Sequence, residues 1–167
     1  MTDEMRTHDT IRLERTFDHP VGRVFRAYAD VEERTRWSAP SEDEFVSFQT
    51  DDFRVGGIDQ FTCGQREGGA TFAGTTRYES VAADQHIVFT ERLTGADDAL
   101  LAMSLVTWRF DGDDERCRLT IIDKVTSFAV DGPITGSRQG YKAMLDQLHR
   151  QLETVPDPRP DDLEVSP

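Results

Sequence analysis

The sequence predicts an α+β fold: a curved antiparallel sheet wrapped around a long C-terminal helix, with two short helices after the first strand. Three observations predict it. Residues 44–126 read almost entirely as strand, broken by turn-length gaps, which implies an antiparallel meander rather than parallel crossovers. Residues 134–153 carry one apolar stripe at helical spacing. Two short helical patterns separate the first strand from the long β region. A long amphipathic helix is not stable alone and a sheet has one face to bury, so the economical arrangement closes the sheet over the helix.

The first strand runs from Ile11 to Phe17, with Ile11, Leu13 and Arg15 on one side. "DHP" then marks a turn, with Asp18 a candidate N-cap and Pro20 in the first helical turn. Val21, Val24, Phe25 and Tyr28 recur at helical spacing, predicting a helix from Pro20 to Ala29. A second helix follows from Val31 to Trp37, because Asp30 can cap it and Glu32 and Glu33 occupy its first turn. "SAPSED" ends it. Strands begin at Phe45, Ile58, Ala70, Ile87, Leu101 and Arg116, separated by "REGG", "AADQ", "TGADD" and "DGDD".

Within "DFRVGG", Gly56-Gly57 fit a hairpin bend or a strongly coiled strand. They are not a phosphate loop, since G-x-G-x-x-G is missing and no helix follows. Tyr141, Met144, Leu145, Leu148 and Leu152 then form the stripe of a helix over 134–153. "VPDPRPDDLEVSP" holds four of the seven prolines and little that packs. The expected organisation is a flexible leader over residues 1–9, one domain over 10–153 and a disordered acidic, proline-rich tail over 154–167.

Composition narrows the function. A length of 167 residues fits one domain. A net charge of −13, with two lysines against seventeen arginines, disfavours nucleic-acid phosphates and anionic lipid as partners. Cys63 and Cys117 lie inside strand-like runs without metal-ligand spacing and read as small core residues in a reducing compartment. No apolar run reaches membrane-spanning length, and "MTDEMRTHDT" is too polar for a signal peptide, so a cytoplasmic protein is expected. His8, His19, His86 and His149 show no ligand spacing and there is no G-x-S-x-G elbow, so no metal, cofactor or nucleophile is expected.

The chain resembles the START-like (SRPBCC) superfamily, and within it the branch named after the activator of heat-shock protein 90 ATPase. Phe17 and Pro20 with Val24-Phe25 resemble the opening "F-x-x-P-x-x-x-V-F", and Trp37 stands where the second helix usually ends in tryptophan. "DFRVGG" is similar to "D-x-R-V-G-G", and "IVFT" (Ile87 to Thr90) resembles "L-V-F-T". "RLT" (Arg118 to Thr120) resembles "T-R-L-T" with Cys117 in place of threonine, and Gly140-Tyr141 stand where "G-W" opens the last helix. The likeness spans about residues 10 to 153. It departs at "RWSAP" (Arg36 to Pro40) where "W-W-G-P" is common, at Asp59 where an aromatic is usual, and at Ser80 where glutamate is frequent.

The resemblance implies a helix-grip fold with a hollow between the last helix and the sheet. Strand parity supplies a provisional lining. Phe61 shares a side with Asp59, Tyr78 with Thr76 and Ser80, Phe89 with Glu91, Trp108 with Val106 and Phe110, and Asp123 with Leu119 and Ile121. Met103 and Leu105 have the parity opposite to Val106, predicting a bulge or bend between them.

The candidate ligand-binding set is Trp37, Asp59, Phe61, Tyr78, Phe89, Glu91, Trp108, Asp123, Tyr141 and Met144, with no catalytic residue assigned. Its acids either anchor a ligand or pair with arginine, Arg54, Arg77 and Arg109 being available. The leading expectation is a non-catalytic module, monomer or homodimer, holding a small apolar or aromatic molecule. A cyclase/aromatase-like or hydrolytic enzyme using pocket carboxylates is the second. A chaperone-associated interaction protein is the third, although in relatives that role draws on a further N-terminal domain, which 167 residues are expected to lack.

Overall fold

The computed structural model describes residues 7–95, 97–128 and 133–155, with side chains throughout except at 133–137. Seven strands form one antiparallel sheet: β1 (Thr7–Phe17), β2 (Glu44–Thr50), β3 (Ile58–Gln65), β4 (Gly69–Ala82), β5 (His86–Gly95), β6 (Leu100–Gly112) and β7 (Cys117–Ser127). Their spatial order is β1-β7-β6-β5-β4-β3-β2. Helices α1 (Val21–Ala29) and α2 (Val31–Ser38) follow β1, and α3 (Pro133–Thr154) closes the described chain. Every consecutive pair from β2 to β7 is a hairpin, and β1 joins the far edge by pairing with β7. This is the expected α+β helix-grip architecture.

Asp30 caps α2 as expected, accepting from the backbone N–H groups of Glu32 and Glu33. Asp18 does not cap α1. The N-cap position falls on Pro20, and Asp18 instead pairs with Arg116 at 3.2 Å. The expected leader also shortens, because Thr7 to Asp9 already pair with Ser127 to Val125 and the His8 ring bonds the Thr126 hydroxyl. At the other end, Thr154 belongs to α3, while residues 1–6 and 156–167 lie outside the described residues.

Gly56 and Gly57 resolve as a hairpin connection between β2 and β3. Gly56 takes a φ of +81°, where side chains are disfavoured. At Gly57 an added Cβ would meet the Asp52 carbonyl oxygen at 2.0 Å. The turn then joins β4, with Gly56 N–H donating to the Tyr78 carbonyl and Tyr78 N–H to the Gly57 carbonyl.

The core lies between the helix-facing side of the sheet and the three helices. Phe17, Val24, Phe25, Trp37, Tyr78, Ile87, Phe89, Trp108, Leu119 and Ile121 meet Leu145, Leu148 and Leu152 of α3 there. No bulge interrupts β6 between Met103 and Leu105. Both simply face outward, each 45% exposed, while Val106, Trp108 and Phe110 face inward. The β5–β6 register shifts earlier, where Leu93 pairs with Ala102 and Thr94 with Leu100, and another shift falls in β4, between Tyr78 and Ser80. It turns Ser80 to the outer side, opposite Val88, where its hydroxyl meets the His86 ring at 2.8 Å.

Candidate functional site

Two buried ion pairs hold the helices, one joining them to one another and one joining α2 to the sheet. Arg23 of α1 forks onto Glu33 of α2 at 2.8 and 3.2 Å, and Gln151 of α3 donates to the same Glu33 at 3.1 Å. Three helices therefore meet at one carboxylate, which ties down the C-terminal half of α3. Arg34 of α2 pairs with Asp59 of β3 at 3.0 Å, lies over the rings of Tyr28 and Phe48, and also donates to the Tyr28 carbonyl. Asp59 accepts further from the Tyr78 hydroxyl at 2.5 Å and the Asp52 N–H at 2.8 Å. With its bonds made and 1% exposure, Asp59 anchors the fold rather than a ligand. Its partner is Arg34, not Arg54, Arg77 or Arg109, which pair with Asp52, Glu79 and Asp111 on the surface.

The aromatic residues expected to line a hollow divide in two. Trp37, Tyr78, Phe89 and Trp108 are all buried and touch one another or Tyr28 through ring contacts of 4.9–6.4 Å. Trp37 also donates from Nε1 to the Ala27 carbonyl. These four fill the core. Phe61, Tyr141 and Met144 instead keep partial exposure, Tyr141 and Met144 packing at the core's margin. Phe61 lies across Gly74, where an added Cβ would meet its ring at 2.1 Å, so glycine there lets the ring lie flat on the sheet.

Beside these three, the helix-facing side turns polar. Asp59 pairs in register with Thr76, Thr76 with Glu91 and Glu91 with Ser104, giving one polar row across β3 to β6. Asp123 enters from the adjacent row, opposite Val106. Helix α3 packs chiefly along α2, β1 and β7. Its Tyr141 donates to Asp123 Oδ2 at 2.8 Å and packs with Leu93 on a small cluster of Ile11, Ala102 and Val125. Thr76 donates to Glu91 Oε2 at 3.3 Å.

Burial governs the chemistry of these acids. It pushes the Glu91 carboxyl up to about 7, the Asp123 charge adding to the rise and the Thr76 hydroxyl opposing it. Burial also raises Asp123, opposed by the Tyr141 hydrogen bond and by the nearby Ser104 hydroxyl, both of which favour its charged form. The Tyr141 hydroxyl is raised by burial and then by the neighbouring Asp123. Among the described residues no lysine or arginine pairs with Glu91 or Asp123. Asp123 is 5% exposed, and no described donor reaches its Oδ1. Ser127 Oγ, on the same side of β7, is likewise buried without a described partner.

The structure thus brings together Glu91, Asp123 and Tyr141 from the candidate set and adds Thr76 and Ser104, whereas Phe61 lies against Gly74, Met144 against the main core, and Ser127 four residues beyond Asp123 on the same side of β7. Ser104 was legible: it shares parity with Val106, but the apolar Met103 and Leu105 draw attention to the opposite side. No cluster of three or more metal-ligating side chains occurs among the described residues. No described helix is long and apolar enough to cross a membrane.

Fold and site together define a helix-grip domain of the START-like kind. Residues 18–153 match the family described as "Activator of Hsp90 ATPase homolog 1-like protein", and the chain belongs to that family. Its fold is similar to that of Mll3558 from Rhizobium loti, at 27% identity and a TM-score of 0.76 over 87% of this chain and 98% of that one. It is equally similar to CV1439 from Chromobacterium violaceum, at 26% identity and a TM-score of 0.76 over 86% and 96%. DynU16, from the dynemicin biosynthetic locus, shares the fold at 18% identity and a TM-score of 0.63, over 90% of this chain and 49% of that one. No curated protein matches the chain.

Proposed function

We propose that this protein is a small-molecule binding module whose ligand lies on the helix-facing side of β3 to β7, beside the N-terminal half of α3. The observation that carries the reading is the contrast between acids on one face. Asp59 has its own arginine, whereas Glu91 and Asp123 have none among the described residues, and Asp123 Oδ1 is buried without a donor. An unmet buried acceptor costs about 1–3 kcal/mol, a cost that a ligand removes by supplying the donor. Phe61, Leu93 and Met144, all partly exposed, offer apolar area for the rest of the molecule.

The family fold supports a binding role, and the choice of an apolar or aromatic ligand rests on these flanking side chains. The test is an NMR and thermal-shift screen with lipids, flavonoids and polyketide-like aromatics. A ligand at 100 times its Kd adds about 2.7 kcal/mol of stability. Shift changes should centre on Glu91, Asp123, Tyr141 and Met144. Silence from every class, or changes centred elsewhere, would remove the proposal.

One observation favours an enzyme as the second reading. A carboxyl held at about 7, beside a second acid and a tyrosine hydroxyl, is suited to general acid–base work at neutral pH. In that case Glu91 moves the proton, and Glu91→Gln abolishes turnover while ligand binding persists.

A further inference from the structure

Resting on that binding site, we infer that the ligand carries a protonated amine, whose N–H groups complete the acceptors of Asp123 and Glu91 beneath Tyr141. The argument is an account of donors. The Tyr141 hydroxyl is spent on Asp123 Oδ2 and the Thr76 hydroxyl on Glu91 Oε2. The Ser104 hydroxyl favours the charged form of Asp123, while Oδ1 has no hydrogen-bond partner among the described residues. Ser127 Oγ, two residues beyond Val125 on the same side, is a second buried polar atom without a described partner, and it belongs to neither acid.

The groups facing this point are Thr76 of β4, Glu91 of β5, Ser104 of β6, Asp123 of β7 and Tyr141 of α3, with Tyr28 of α1 close enough to feel Tyr141. None of them is a cation. The same sheet face shows what the protein does when it satisfies an acid itself: Asp59 receives a guanidinium, a phenol and a backbone N–H.

Head-group chemistry then discriminates. A carboxylate ligand adds negative charge to two acids and supplies no donor. An alcohol supplies one donor and no charge. An ammonium supplies three donors and a compensating positive charge, which fits two buried acids that have no described cation beside them.

The experiment compares three head groups on one indole body: tryptamine, tryptophol and indole-3-propionate. Each is titrated into the full chain at pH 7 and followed by NMR. Tryptamine is expected to bind at least 10-fold more tightly than tryptophol, and indole-3-propionate not to bind. Asp123→Asn should weaken tryptamine at least 10-fold, by a larger factor than it weakens tryptophol, and the Glu91 carboxyl should titrate at lower pH in the tryptamine complex. Equal binding of alcohol and amine, or preference for the acid, overturns the inference while leaving a binding site in place. That comparison uses the wild-type chain and stands even if Asp123→Asn does not fold. If none of the three perturbs Glu91, Asp123 or Tyr141 while another apolar ligand does, the amine is refuted alone. If nothing perturbs them, the binding site falls as well.

Discussion

Replacing Glu91 by glutamine should make stability less dependent on pH, in a direction that follows from its position. Its carboxyl titrates near 7 in the folded chain against an ordinary value of 4.5. The folded state therefore holds this proton more tightly than the unfolded state does. Stability from this source is fully present below pH 4.5, declines as pH rises, and is lost above about 7. At about 1.4 kcal/mol per pH step, the span from 4.5 to about 7 amounts to roughly 3 kcal/mol. Glutamine keeps the shape and an acceptor for the Thr76 hydroxyl but never ionises. The assay is urea unfolding of both chains from pH 4.5 to 8.5. Relative to wild type, Glu91→Gln should gain about 3 kcal/mol between the ends of that range, with most of the change below pH 7. Asp123 is present in both chains, so its own titration cancels to first order. A difference that stays flat within about 0.5 kcal/mol would show that Glu91 is hydrated like a surface acid, and the account of the site would fail with it.

Other positions give sharper structural tests. Arg34→Met leaves Asp59 buried without its cation and should cost about 3–5 kcal/mol in denaturant unfolding; a loss below about 1 kcal/mol would mean that Asp59 is not held as a buried charge. Gly57→Ala drives a Cβ into the Asp52 carbonyl, which is backbone and cannot swing aside, so it should destabilise by more than about 1 kcal/mol, whereas the same change at Gly74 meets only the movable Phe61 ring. Asp30→Ala should cost about 1 kcal/mol through loss of the α2 cap, read from the unfolding midpoint. Cys63 and Cys117 are buried with their thiols pushed up to about 12 and about 11, so a thiol reagent at pH 8 should label neither until the chain unfolds.

The architecture was legible because it rests on periodicity. Alternation in β3, β5 and β7 places Asp59, Glu91 and Asp123 on the helix-facing side, where the structure finds them. Parity fails where one strand slips: the irregularity between Tyr78 and Ser80 reverses every inference beyond it in β4, and no residue type there announces the slip. Pairing was harder still. Arg34 looks like an ordinary exposed helix residue in "EERTRW", and only the docking of α2 against β3 brings it to Asp59. Burial of Trp37 and Trp108 against Tyr28 likewise depends on three elements meeting, which no local pattern encodes.

The two arginine pairs also bear on why the remaining acids have no cation among the described residues. The Arg23–Glu33–Gln151 junction and Leu145, Leu148 and Leu152 fix the C-terminal half of α3, and Arg34–Asp59 fixes α2 at β3. With α2 and the C-terminal half of α3 so held, no described lysine or arginine pairs with Glu91 or Asp123. Closing it with apolar residues would gain stability, since a buried acid without a cation is costly. A fold that supplies arginine to Glu33 and Asp59 and withholds it from Glu91 and Asp123 bears that cost locally. Such cost is expected where a ligand, rather than the chain, completes the charge.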